Sequence, residues 1–342
     1  MALVFITVDK IRAAQYNACI AFLLKEAAMP ASYVHQCIAG SVCDALSIYT
    51  SAPLRSAVLA GSEGPDPLFF SVLPAPGPVV PKVGSILHTR KTDEFLLALA
   101  DCCKDSELTR AYCCGFFTHY AADTTFHPFV YAHSLGEDGS YSSVNHCTLE
   151  HQLETLHYRR QGHAHGLPEQ MAGFANLTGS AKDEIARALS RAIDMVFPGE
   201  SLGVRRVRKS FDDAVSLCRL LRSPGGKRYA LLGGLLKPLR LDAPLHAHMM
   251  PKEAPDKDIM NSAHRPWASI WTPELERTDS FDELYQAAVS RGCELVSAAN
   301  GYMHGQTAYA SLRALHGGLS YDSGLPWQTT CAPGKAPGVG KR

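Results

Sequence analysis

The sequence predicts an all-α protein: a multi-helix bundle with a metal-type cluster in its interior and an extra C-terminal helical layer. Three observations carry this. Apolar residues recur at helical spacing through most of the chain, and few runs alternate with the period of a strand. Pro- and Gly-rich punctuation separates stretches of helix length. Two pairs of metal-type side chains, His119–Asp123 and His146–Glu150, sit four residues apart inside such stretches, and a four-residue step puts both members on one helix face.

Bulk composition narrows the function classes. The chain has 342 residues, 33 Lys plus Arg and 33 Asp plus Glu. Zero net charge argues against a nucleic-acid binder working through bulk positive charge and gives no support to a polybasic membrane anchor. Fifteen His is a high count, and 46% apolar residues is ordinary for a soluble globular protein. The eleven Cys include two adjacent pairs, Cys102–Cys103 and Cys113–Cys114, but no CxxC knuckle. Buried small hydrophobes in a reducing compartment are expected. No stretch of 18 apolar residues occurs, so no membrane-spanning helix is expected. No basic segment precedes the apolar N-terminal patches, so the chain reads as cytoplasmic.

Taken in order, residues 1–28 read as an extension whose start could instead lie at Met29. Ser32 is a plausible N-cap for a helix carrying Val34, Ile38, Val42 and Leu46. A helix at 53–61 ends in GSEGPDPLFF, and the following SVLPAPGPVVPKVG reads as an irregular loop. Helices resume at 92–104 and 106–123, and Pro128 is expected to stop or kink the second. A turn-rich connection leads to a long helix at 143–161. Ser180 opens SAKDEIARALSRAIDMVF with an acid three residues on, close to a capping box. Further helices are expected at 201–222, 280–298 and 301–315, with RSPGGKRY and LDAPLHAHMMPKEAPDKD irregular between them. The tail over 329–342 is expected to be disordered. The expected organisation is an extension (1–28), a catalytic domain (29–200), a C-terminal helical region packed on it (201–328) and the tail.

Two helices facing each other with His119–Asp123 and His146–Glu150 would bury imidazoles and carboxylates in a bundle interior. Polar groups there are costly unless they bind something; more than one metal ion is the simplest tenant. The flanks CCGFF and AADTTFHPF are too apolar for a solvated face, so His119 and Asp123 point inward. In chain order the candidate ligands are His35, Asp66, His88, His119, Asp123, His127, His146 and Glu150. His127 falls one turn past Asp123, before Pro128, at an expected helix end.

The segments SYVHQCIAG, GPDPLFF, GSILHTRK, GFFTHYAADTTFHPFV and NHCTLEHQLE resemble the zinc-dependent phospholipase C family, whose superfamily includes single-strand nucleases. The resemblance spans about Met29 to Arg160, and H-x3-D followed by H-x3-E is its most specific part. It implies two or three zinc ions in a helical bundle. Asp66, His88, His119 and Asp123 would bind one zinc, and His127, His146 and Glu150 a second. Asp123 would bridge to a third, which also takes His35. Mixed His and carboxylate ligation suits zinc. Secreted members complete the third site with an N-terminal Trp; no Trp precedes His35 here. A start at Met29, followed by Met removal, would place a Pro30 amine five residues before it.

The implied reaction is attack of water on a phosphodiester, splitting a phospholipid, with Asp66 as the ligand that also accepts the nucleophile's proton. The implied partners are a phospholipid or other phosphodiester and, transiently, a membrane surface; no stable nucleic-acid partner is expected. A single-strand nuclease or other phosphohydrolase of the superfamily is the nearest alternative, but nucleases typically carry H-x3-D in the second pair, where this chain has Glu150. A non-catalytic zinc protein is the alternative from another class. HExxH is absent.

Other residues are weaker candidates. Glu154 could orient a ligand one turn past Glu150. His151 is expected at the surface or behind the ligands, and His163, His165, His246 and His248 in polar loops. Leu68, Phe69 and Phe70 suit core packing better than a substrate pocket. Arg205, Arg206, Arg208 and Lys209 read as a solvated basic face.

Overall fold

A computed structural model describes residues 32–70, 80–163, 165–239, 246–251, 253 and 255–333. The expected extension 1–28, the alternative start at Met29 and the end of the tail lie outside the described residues. The fold is all-α. Twelve α-helices occur among the described residues: α1 (Ser32–Leu46), α2 (Ala52–Gly61), α3 (Val80–Thr89), α4 (Thr92–Cys103), α5 (Glu107–Ala132), α6 (Ser143–Arg160), α7 (Ala172–Asn176), α8 (Gly179–Val196), α9 (Val204–Leu221), α10 (Lys227–Leu236), α11 (Phe281–Met303) and α12 (Tyr309–His316). The described strands are two short antiparallel ones, β1 (Trp267–Ala268) and β2 (Glu276–Arg277), with Trp267 opposite Arg277. No described helix is long and apolar enough to cross a membrane.

Helix α5 is the axis. Tyr112, Phe116, Phe117, Tyr120 and Phe129 are all completely buried along it, because neighbours cover every side. Helix α2 crosses it at a Gly–Gly contact: a Cβ on Gly61 would lie 1.9 Å from the Tyr112 carbonyl oxygen, and one on Gly115 would lie 2.0 Å from that of Val58. Only glycine permits so close an approach. The contact brings the turn after α2, with Asp66, against the middle of α5. Helix α11 lies along α5 and α1, and one hydrophobic cluster runs from Val34 on α1 to Tyr321 near the C-terminus. Buried free thiols at Cys43, Cys103, Cys113 and Cys114 are part of it.

Several local expectations are corrected. Pro128 does not stop α5, which continues to Ala132; packing on all sides outweighs the lost amide. His127 is therefore mid-helix rather than at an end. The expected loop over 71–84 gives way at Val80 to α3, and Pro81 fits its first turn, where no amide is required. The N-cap of α8 is Thr178, whose hydroxyl accepts from the Ala181 amide at 3.2 Å, rather than Ser180. Lys227–Leu236, expected to begin in irregular chain, is helical, and α11 runs on to Met303. The first residues of the expected disordered tail are held in place: the Trp271 indole donates to the Cys331 carbonyl at 3.0 Å.

Candidate metal centre

Five elements deliver the eight candidate ligands to one place. Helix α5 carries His119, Asp123 and His127 at four-residue steps, and Tyr131 continues the stripe. Helix α6 starts at a Ser142 cap that accepts from Asn145, so His146 and Glu150 fall on its first turns. His35 comes from α1, His88 from the end of α3, and Asp66 opens a 3-10 turn after α2. None of the eight is more than 8% exposed, so the cluster is buried among helices.

The groups interlock through carboxylates. His88 Nε2 lies 3.1 Å from Asp66 Oδ1 and 3.8 Å from Asp123 Oδ2. His119 Nε2 lies 2.9 Å from Asp123 Oδ2. His35 Nε2 lies 3.2 Å from Asp123 Oδ1, and its ring stacks on that of His119 at 4.5 Å. On the other side His146 Nε2 and His127 Nε2 approach Glu150 Oε1 at 3.2 and 3.4 Å. His127 is also 3.7 Å from Asp123 Oδ1, so Asp123 stands between the two sets.

Three imidazoles are aimed by main-chain carbonyls at their outer nitrogens. His88 Nδ1 meets Gly84 O at 2.8 Å, His119 Nδ1 meets Ser62 O at 3.0 Å, and His127 Nδ1 meets Tyr321 O at 3.0 Å. A ring N–H held by a carbonyl leaves Nε2 as the free donor atom, the arrangement metal-binding histidines commonly show.

The arrangement fits zinc. Three sets of ligand atoms, His35–Asp66–His119, His88–His119–Asp123 and His127–His146–Glu150, each lie within 4.8 Å of one another. Metal–ligand bonds of about 2.0–2.2 Å give tetrahedral edges of roughly 3.4 Å, close to the separations above. Asp66 Oδ2 and Glu150 Oε2 are buried without a hydrogen-bond partner, and such atoms are costly unless something else satisfies them.

The charges agree. Burial alone would lower the histidine pKa values, but Asp66 and Asp123 take His88 up to about 9. Asp123 and Glu150 take His127 up to about 10. Burial would raise Glu150, but His146 and His127 hold it at about 2. Burial also opposes ionisation of Asp123, yet His119, His127 and His35 hold it well below the carboxylate range. The anionic cluster thus calls for positive charge, which protons or a metal can supply.

A cavity of about 340 Å³ opens onto the cluster, within the range of small-ligand sites. Its floor is Asp66, His88, Asp123, His127, His146 and Glu150; Phe69, Tyr131, Tyr141 and Asp322 form its walls. None of its described lining residues is Lys or Arg. Of the Leu68–Phe70 run, Leu68 and Phe70 are core, whereas half-buried Phe69 lines the cavity.

Outside the eight, His151 is buried, with Nδ1 3.0 Å from Cys147 O. Glu154 accepts from the Tyr33 amide and from the Gln170 side chain, so its carboxylate ties the start of α1 to the chain ahead of α7. His163 stacks on Tyr158 and His246 on Tyr229. Arg208 and Lys209 pair with Asp212 and Asp213 on α9, a solvated face.

The sequence reading missed Glu63, Tyr321 and Asp322. Glu63 is fully buried beside the cluster, receives Ser32 Oγ at 2.7 Å and Gln36 Nε2 at 2.9 Å, and is lifted by burial to about 8. It follows the expected helix end in GSEGPDP and could have been noticed there. Tyr321 contributes a main-chain carbonyl, which leaves no side-chain signature.

A family model described as zinc dependent phospholipase C matches residues 34–196, the stretch that holds all eight candidates. No curated protein and no solved structure matches the chain.

Proposed function

We propose that this chain, whose residues 34–196 match the zinc dependent phospholipase C family model, is a zinc-dependent hydrolase that cleaves the phosphodiester of a phospholipid. The observation that supports this best is the meeting of two buried His–carboxylate sets, joined by Asp123, on the floor of one open cavity. In this reading Asp66, His88, His119 and Asp123 hold one zinc, His127, His146 and Glu150 a second, and His35 with Asp123 contributes to a third.

Bound zinc would supply Lewis acidity, neutralising charge on phosphoryl oxygens and acidifying water. The chain's own groups do the rest. Asp66 lies in the cavity floor with its carboxylate beside His88, where it can accept the proton of the water that attacks phosphorus. Phe69, Tyr131 and Tyr141 offer apolar faces to the organic part of the substrate, and burial of the ligands keeps their geometry fixed.

A lining without Lys or Arg among the described residues favours one isolated phosphodiester over a polyanionic strand, whose neighbouring phosphates would need cations of their own. Contact with a lipid surface is transient in this reading. Release of a phosphorylated headgroup from phospholipid vesicles, compared with nucleotide release from single-stranded DNA, tests the proposal. Headgroup release that Asp66→Asn abolishes supports it; nucleotide release alone overturns it.

A further inference from the structure

We propose that the segment His316–Trp327, beyond the family-matched stretch, is a strap that positions the His127–His146–Glu150 group by aiming His127. The inference rests on the reading that this group holds zinc.

The three oriented imidazoles differ in where their acceptors come from. Gly84 is one turn before His88 on α3, and Ser62 follows α2, which is locked to α5 at Gly61 and Gly115. His127 instead relies on Tyr321, 194 residues away. His146 Nδ1 has no hydrogen-bond partner, so the Tyr321 carbonyl is the main-chain orienting contact for this pair of imidazoles.

The strap is built to hold that carbonyl still. The Tyr321 amide donates to His88 O at 2.9 Å. The Leu319 amide donates to Tyr120 Oη at 2.7 Å, and Tyr120 Oη donates onward to His316 O at 2.6 Å. The Tyr321 ring is wholly buried between His88 and Tyr120. Asp93 on α4 anchors the far end, accepting from Trp327 Nε1 at 2.9 Å, and also holds α12 just before the strap, accepting from Arg313 at 3.0 Å.

The strap is seated on α5 beside Pro128. Proline has no amide to give the carbonyl four residues back, which is that of Thr124. Gly324 packs there with φ +65, and a Cβ on it would lie 2.5 Å from Thr124 O and 3.5 Å from Pro128 Cγ. Any side chain at 324 must lift the strap, and with it the Tyr321 carbonyl.

Gly324→Ala tests the strap, with zinc retention read by equilibrium competition against a chelator and the fold checked by circular dichroism. Wild-type protein that binds no zinc would sink the metal reading itself, a failure separate from this one. With zinc bound to wild type, Gly324→Ala should weaken one zinc by about 10–100-fold, the usual effect of disturbing an outer partner of a ligand. In a His146→Ala background, where that site is already lost, it should weaken nothing further. Trp327→Phe, which removes only the indole donor to Asp93, should act in the same direction and more weakly should Gly324→Ala fail to fold. Folded variants that keep wild-type affinity, or an equal loss in the His146→Ala background, would overturn the proposal.

Discussion

The two halves of the metal cluster are built differently. The half around His88, His119, Asp66 and Asp123 is assembled from α3, α5 and the turn after α2, and its imidazoles are aimed by carbonyls in α3 and that turn. The half around His127, His146 and Glu150 is assembled from α5 and α6, but its oriented imidazole leans on the C-terminal segment. The imidazoles of the first half are thus aimed by carbonyls within the family-matched stretch, whereas His127 is aimed by one outside it. Asp123 touches both, with one oxygen 2.9 Å from His119 and the other 3.7 Å from His127.

The largest effect is expected at that joint. Asp123→Ala should abolish hydrolysis and lower zinc content in both halves, since the first loses a ligand and the second loses the carboxylate 3.7 Å from His127; an assay of headgroup release beside metal analysis checks it. Loss of zinc from one half alone would show that Asp123 does not join them.

Asp66→Asn should act on the first half without dismantling it. Removing the proposed proton acceptor should cost roughly 10²–10⁴-fold in kcat, with zinc content nearly unchanged. Activity within tenfold of wild type would remove Asp66 from its proposed role.

The metal-free protein sharpens the comparison through its pH dependence. His88 at about 9 and His127 at about 10 stand above the usual histidine value. Such raised groups contribute stability that is fully present below about 6.5 and is lost as pH rises through their folded values. Metal-free protein should therefore weaken between pH 7 and 10 in thermal melts. Zinc should reverse the trend over the lower part of that window, because binding needs neutral imidazoles. A flat metal-free profile would mean the His–carboxylate contacts carry no linked stability.

The smallest effect serves as the control. Thr178→Ala removes the cap of α8 and should cost about 1 kcal/mol of unfolding free energy, with zinc content and kcat unchanged. A change in either would tie α8 to the site.

This contrast also marks what the chain discloses as a sequence. His119–Asp123 and His146–Glu150 were legible because ligand type and helical spacing coincide, and the single candidates His35, Asp66 and His88 gained weight from the same series. All eight meet in the structure. The strap was not legible: a main-chain carbonyl can come from any residue, and YDSG looks like an ordinary turn. Pro128 misled for a related reason. Local propensity argues for a helix end, but burial on every side of α5 overrides it, and Gly324 packs against the Thr124 carbonyl one turn before the proline. Phe69 was hidden because an aromatic beside two core residues looks like core.

The central claim is that the two halves hold separate zinc ions. Elemental analysis of purified wild type and His146→Ala tests it most directly. The account predicts two or three zinc per wild-type chain and one fewer in the variant, at unchanged helix content. A wild type without zinc, or a variant that keeps its full complement, would contradict it.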